Sequence, residues 1–413
     1  MQPQTDAGVP APCPEETGCV VVPSYAALRA YSGDATALCV AQPRLCGRFE
    51  RVDACVVDNG VCLEGLAGRR WQRALGSPLV LRLSYWETSD ATIAVRAASM
   101  AARDLTGAVV EFDRIYEVYR SMPVYSGVTY RGGGLRRRCT PHAKVTAPAA
   151  ASDTCLQVDQ TSGFVPNTQL LVLRGSGYQM IAGEIWPDRN IAADRLCAYE
   201  AAPLGYVAAV GQDVVEVFDL LQGINPSGSA GHVNNVTIRG MLFDGNRACN
   251  GYTADWRYNT VGAVKGDVTF VDNTIIDTPS EALTICGGTW LNNHLRNLGG
   301  SFVHKSCGMS PPPTDRLEGN VIEGVNRLGD ALMGHSEGAI TLSANAGELV
   351  VRDNVFRDGC EGAFGLVNGD DTDILARGNV FERFARRIGY NARLTAASEK
   401  IDIDTGNTWT DVP

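Results

Sequence analysis

Three observations predict an all-β chain wound as a solenoid, a right-handed parallel β-helix. One short pattern recurs from Val236 to Asp411, each copy sets two β-type runs about an Asn, and a third β-type run follows several copies. The copies read VTIRGMLFDG, VTFVDNTIID, TWLNNHLRN, RLEGNVIEG, LVVRDNVFRD, ILARGNVFER and IDIDTGNTWTD. Their Asn slots are Asn273, Asn293, Asn320, Asn354, Asn379 and Asn407, spaced 20 to 34 residues apart, with Gly240 taking the slot in the first copy. A fixed core pattern with variable spacing is what stacked coils produce, because insertions loop out sideways.

Asn, like Gly, tolerates the left-handed backbone conformation, so the slot is expected at a sharp bend between strands. Stacked Asn amides can also chain into a hydrogen-bonded ladder. The third runs are EALTICGG from Glu281, SFVHKSCG from Ser301, EGAITLSAN from Glu337 and EGAFGLVNG from Glu361. These copies resemble the pectate-lyase-like β-helix superfamily, which includes polysaccharide lyases, hydrolases, epimerases and phage tailspikes. The resemblance covers most of the chain and implies a fold more sharply than an activity, since one fold hosts many chemistries.

Along the 413 residues, 45% of them apolar, a solenoid core can run without division into several globular domains. No run of about 18 apolar residues is present, so no membrane span is expected. Met1 to Pro12 is polar and Pro-rich, without the basic start and apolar stretch of a signal peptide, and Met1 reads as the start of a truncated or mature form. Thirteen cysteines, several in close pairs (Cys13/Cys19, Cys39/Cys46, Cys55/Cys62) and none at CxxC spacing, point to an oxidising, extracellular compartment. Reduced, buried cysteines are the alternative, and spacing alone leaves the connectivity open.

Residues 1–88 are expected to form a Cys-rich head and 89–413 the β-helix. Asp58-Asn59-Gly60 marks a turn in the head. Gly47, Phe49, Asn59, Gly60, Gly68, Arg69, Trp71 and Arg73 resemble the entry segment of tailspikes and related secreted β-helix proteins, which implies structural roles. The run DATIAVRAASMAAR from Asp90 to Arg103 is Ala-rich, free of Gly and Pro, and starts at Ser-Asp, so it predicts one helix, placed as a cap on the solenoid. A strand from Ala108 to Phe112 follows. Between about 153 and 221 short β-type runs alternate with turns, which predicts a small antiparallel insertion.

In the resembled superfamily, ligands lie along the sheet of third strands. Stacking about 4.8 Å apart turns like positions into a row of groups along a bound polymer. Glu281, Ser301, Glu337 and Glu361 precede those strands; Lys265, Thr284, His304, Lys305, Thr341 and Ser343 lie on or near them. Glu337 and Glu361 on neighbouring coils would sit roughly 5 Å apart, suiting retaining glycoside hydrolysis, and Glu281 nearer 9.6 Å from Glu337, in the inverting range. The plain alternative is that these are solvated turn residues. His304 and Lys305 offer a different chemistry, proton abstraction beside the carboxylate of a uronic acid. The resemblance then implies Ca²⁺, for which Asp370, Asp371 and Asp373 could supply oxygens. Arg386, Arg387, Tyr390, Trp256 and Asn368 are candidate substrate contacts. Trp290 and Trp409 read as packing residues.

Family motifs fit poorly. Gly334-His335-Ser336 precedes Asp370-Asp371, which is the wrong order for polygalacturonases, and no Asn-Thr-Asp or alginate-epimerase DPHE run is present. A net charge of −10 disfavours nucleic acid as partner. Two classes of function follow: a secreted glycoside hydrolase or polysaccharide lyase that depolymerises an extracellular glycan, or a non-catalytic adhesin or tailspike-like receptor binder. Tailspike-like relatives imply a homotrimer.

Overall fold

The computed structural model describes residues 18–413, except 44, 59, 87, 106, 165–168, 175–178, 186–193, 198–203, 205–206, 226, 228–230, 251–258, 308–312, 326–337, 343–346, 367–373, 390–400 and 404. The chain divides into two compact units, Met1–Asp113 with Gly127–Tyr130, and Arg114–Ser126 with Arg131–Pro413.

In the first unit, strands Val20–Val22, Ala37–Val40, Gly47–Val52, Cys62–Glu64 and Arg70–Arg73 form one sheet. Its core gathers Tyr25, Leu28, Leu38, Phe49, Leu63 and Trp71. Arg73 is buried among them with its guanidinium 4.6 Å from the Phe49 ring centre and 3.8 Å from that of Tyr85. It donates to the Leu45 and Cys46 carbonyls at 2.8 and 2.7 Å. The head residues Phe49, Trp71 and Arg73 are thus packing groups, while Asp58 accepts the N–H groups of Gly60, Val61 and Cys62 and holds the turn. The expected helix spans Ala91–Arg103, and Asp90 caps it by accepting from the Thr92 and Ile93 N–H groups.

The second unit is the solenoid. Residues of successive coils pair in parallel register in three sheets. One first-sheet row is Ile238, Phe270, Trp290, Leu317, Val351 and Ala376, all buried. A second-sheet row is Phe243, Ile275, Leu295, Ile322, Phe356 and Phe381, also buried. The third sheet stacks Leu283, Val303, Ile340 and Phe364. With β periodicity of two, alternate residues fill the core, each large one contributing roughly 1.5–3 kcal/mol. Right-handed crossovers join the strands. Trp290 packs 4.7 Å from Phe270, and Trp409 stacks 4.3 Å from Phe381, as packing residues should.

The asparagines form the expected ladder. Each Oδ1 accepts the backbone N–H and the Nδ2 of the previous Asn at 2.8 to 3.1 Å, from Asn273 through Asn407. The backbone argument for them needs correction. The left-handed residues are the ones just before: Gly240, Asp272, Asn292, Gly319, Asp353, Gly378 and Gly406. Gly240 therefore belongs to that turn column, and Met241 donates its N–H to Asn273 in the ladder slot. Asn is required for its amide, which both donates and accepts inside the core. Asn354→Leu leaves the Asn320 backbone N–H and one of its Nδ2 hydrogens without an acceptor and removes the Nδ2 donor from the Leu317 carbonyl, while Asn379 Oδ1 keeps only the residue 354 backbone N–H, so a loss of about 3 kcal/mol is expected in urea denaturation.

The insertion begins earlier than expected, at His142, where strands His142–Lys144, Asp213–Val217, Gln169–Arg174 and Gln179–Ile185 form an antiparallel sheet. It has its own core of Val145, Leu156, Phe164, Leu196 and Val214. Arg138 ties it to the coil by pairing with the buried Glu216 at 2.9 Å.

Among the described residues, five disulfides join Cys19–Cys39, Cys55–Cys62, Cys139–Cys249, Cys155–Cys197 and Cys286–Cys307. Cys39 thus pairs with Cys19 and not with its sequence neighbour Cys46, because Val20–Val22 and Leu38–Val40 run side by side. Non-reducing peptide mapping is expected to recover Cys19–Cys39 and Cys55–Cys62 as linked peptides, with Cys46 and Cys360 alkylated. Finding Cys39 joined to Cys46 would refute that connectivity.

Candidate functional site

The third sheet carries the polar groups. Its outward row runs Thr284, His304 and Thr341 on consecutive coils, in parallel register. All three are buried even though they point away from the apolar rows beside them. Burial of side chains this polar requires partners.

Glu281 supplies the main one. Both its carboxylate oxygens lie 3.1 Å from His304 Nδ1, and the two side chains are 0% and 6% exposed. A carboxylate only accepts, so Nδ1 carries a proton toward Glu281. One coil further, Ser301 Oγ and Thr341 Oγ1 are 2.6 Å apart, and Thr341 Oγ1 also accepts the Gly338 N–H at 3.2 Å. The arrangement is a carboxylate-held imidazole flanked by threonine hydroxyl-bearing strands. It is suited to moving one proton at a fixed place.

Lys305 is not part of it. His304 and Lys305 are adjacent in one strand, so they face opposite sides of the sheet. Lys305 falls in the inward row between Ile285 and Leu342. There its Nζ donates to Asp315 at 2.6 Å, to the Glu348 carbonyl at 2.7 Å and to the Pro313 carbonyl at 3.1 Å. Those three bonds use its three donors, and both charged side chains are 0% exposed. Burial lowers the Lys305 pKa and raises that of Asp315, each opposed by the charge of the other. The expectation that His304 and Lys305 share one reaction centre is corrected by this parity. Asp315, the lysine's partner, went unnoticed in the sequence because it belongs to a first-sheet strand far from the candidate row.

The register also shifts the glutamates. Leu283, Val303, Ile340 and Phe364 align, and so do Gly338 and Gly362, which places the last two beside Ser301 and Glu281. Glu361 therefore precedes the Glu281 row by one residue, and its backbone lies in the strand Val355–Leu366. Glu337, Asn368, Asp370, Asp371, Asp373, Tyr390 and Trp256 lie outside the described residues, as do His335 and Ser343. Arg386 stands opposite Gly362, and Arg387 lies over the Trp409 ring at 4.9 Å. Among the described residues, no group of three or more His, Cys, Asp or Glu side chains is placed to hold a metal, and no helix is long and apolar enough to cross a membrane.

No protein-family model matches the sequence, and no curated protein matches it. Solved structures with a similar course include full-length tailspike protein 2 of an Escherichia coli O157:H7 bacteriophage, at 11% identity and TM-score 0.41, covering 95% of this chain and 50% of that one. The tailspike of Acinetobacter baumannii phage AM24 is 13% identical with TM-score 0.40, covering 94% and 62%. XylC in complex with xylose is 11% identical with TM-score 0.30, covering 71% and 63%. The chain thus spans about half to three-fifths of the length of these proteins. On its own coil register and asparagine ladder, it has the right-handed parallel β-helix fold.

Proposed function

We propose that the protein cleaves an extracellular polysaccharide along the outer face of the third sheet, with His304 moving the proton and Glu281 positioning it. The buried Glu281–His304 pair carries this reading, because an imidazole fixed in one tautomer by a carboxylate is a competent base near neutrality. Elimination suits it best. His304 would take the C5 proton of a uronic acid as the C4–O bond breaks and the leaving oxygen is protonated from solvent. Glu281 is already engaged by the imidazole, so hydrolysis would fall to Glu337 and Glu361, with Asp370, Asp371 and Asp373 as calcium ligands only in the elimination route. Arg386, Arg387, Tyr390, Trp256 and Asn368 remain proposed substrate contacts. An extracellular location fits the five disulfides. Assembly as a homotrimer belongs to the same proposal, and sedimentation would check it.

The test is a panel of glycans followed for both new reducing ends and ultraviolet absorbance. Unsaturated product supports elimination, and saturated product alone transfers the chemistry to the glutamates. The burial of His304 and Glu281 favours a second reading, in which the pair latches two coils together and the face only binds glycan. Binding without any product across the panel would establish that reading and overturn cleavage.

A further inference from the structure

Two coils before His304, at the corner where the third-sheet strand Asn259–Ala263 passes into the first-sheet strand Gly266–Val271, lies a cation that no acid balances. Val233 pairs with Gly266, and the Val233 N–H donates to the Lys265 carbonyl at 2.8 Å. Continuing that register one residue back sets His232 beside Lys265 on neighbouring coils. Val233 and Val264 are buried in the core, so His232 and Lys265 take the opposite, outward parity. Both are half-buried.

Among the described residues neither has a counter-ion. Burial alone lowers the Lys265 pKa, with no acidic neighbour acting against it. Burial and then the charge of Lys265 lower that of His232. His232 Nδ1 is also a buried nitrogen without a hydrogen-bond partner. The nearest acid along the chain, Asp267, is exposed and accepts the Asn235 N–H at 3.3 Å. Lys305, buried in the third sheet, shows the contrast: it has Asp315. A half-buried ammonium and an unpaired imidazole nitrogen side by side form a site that lacks one anion.

We propose that His232 and Lys265 bind the anionic group of an acidic sugar in the polysaccharide, a carboxylate or a sulfate. The register Ala263, Thr284, His304 sets Ala263, two residues before Lys265, about two strand spacings, roughly 9.6 Å, from His304, with the His232–Lys265 site beyond it at the corner. A polymer lying across the outward row reaches both. This inference names the substrate class for the proposed cleavage site and rests on that reading for the direction of the chain.

Calorimetric titration tests it with three ligands of equal length: an oligouronate, its carboxyl-reduced counterpart, and a sulfated neutral oligosaccharide. The wild-type protein is expected to bind at least one acidic ligand ten-fold or more tightly than the reduced one at low salt, and to lose that margin as salt rises. Lys265→Gln is expected to abolish the margin while leaving the reduced ligand's affinity unchanged, and His232→Gln to shrink it. The oligouronate and sulfated arms tell which anion is held. Equal affinity for all three ligands, or an acidic preference that survives Lys265→Gln, overturns the site. An oligouronate bound through Lys265 and released intact upholds the site and counts against cleavage. Cleavage of a neutral glycan independent of Lys265 does the reverse.

Discussion

Replacing Lys305 by Met is expected to destabilise the solenoid by about 3–5 kcal/mol, the usual cost of removing one partner of a buried ion pair. Asp315 would be left with its carboxylate at 0% exposure and no cation, inside a row otherwise filled by Val268, Gly288 and Leu349. The Pro313 and Glu348 carbonyls would lose their donor as well. Urea denaturation reads the effect directly. The double variant Lys305→Met/Asp315→Leu is the informative control, because paired charges replaced by apolar groups of similar volume often cost nothing. If that double variant regains wild-type stability, the pair is a structural device. If Lys305→Met keeps full stability and loses activity, the inward placement is wrong and the lysine belongs to the reaction after all.

His304→Ala is expected to lower kcat by roughly 10²–10⁴, the range for loss of a general base. Glu281→Gln should lower it less and should move the pH profile, since an amide neither fixes the Nδ1–H tautomer nor supports the protonated ring. A positioning role predicts that shift. A purely structural role would instead show in the melting temperature of both variants with the pH profile unmoved. Full activity in His304→Ala, with the fold intact, removes the proposed centre.

Periodic features were legible in the sequence because repetition betrays geometry. Asn273 through Asn407 marked the coils, and the Ala-rich run marked the helix Ala91–Arg103. One-residue phase was harder. The left-handed turn fell on Asp272 and Asp353, just before the asparagines credited with it. Glu361 was aligned with Glu281 although the sheet puts Gly362 there. In a β structure a slip of one residue exchanges the two faces. That is why Lys305 was taken for a neighbour of His304 in function when it is a neighbour only in chain. The Glu281–His304 contact is not legible in the sequence for a related reason: the two residues lie 23 apart in the chain, and only coil stacking makes them partners.

The asparagine ladder has one more consequence. Its amides recur once per coil whether 20 or 34 residues of chain separate them. Length added to a coil is therefore expelled sideways and leaves the axial rise untouched. The ladder works as a ruler whose graduations are set by amide-to-amide contact and are blind to loop content. Loops can lengthen, shorten or change chemistry while Thr284, His304 and Thr341 keep their separation, so the rim can be retuned without altering the pitch of the row.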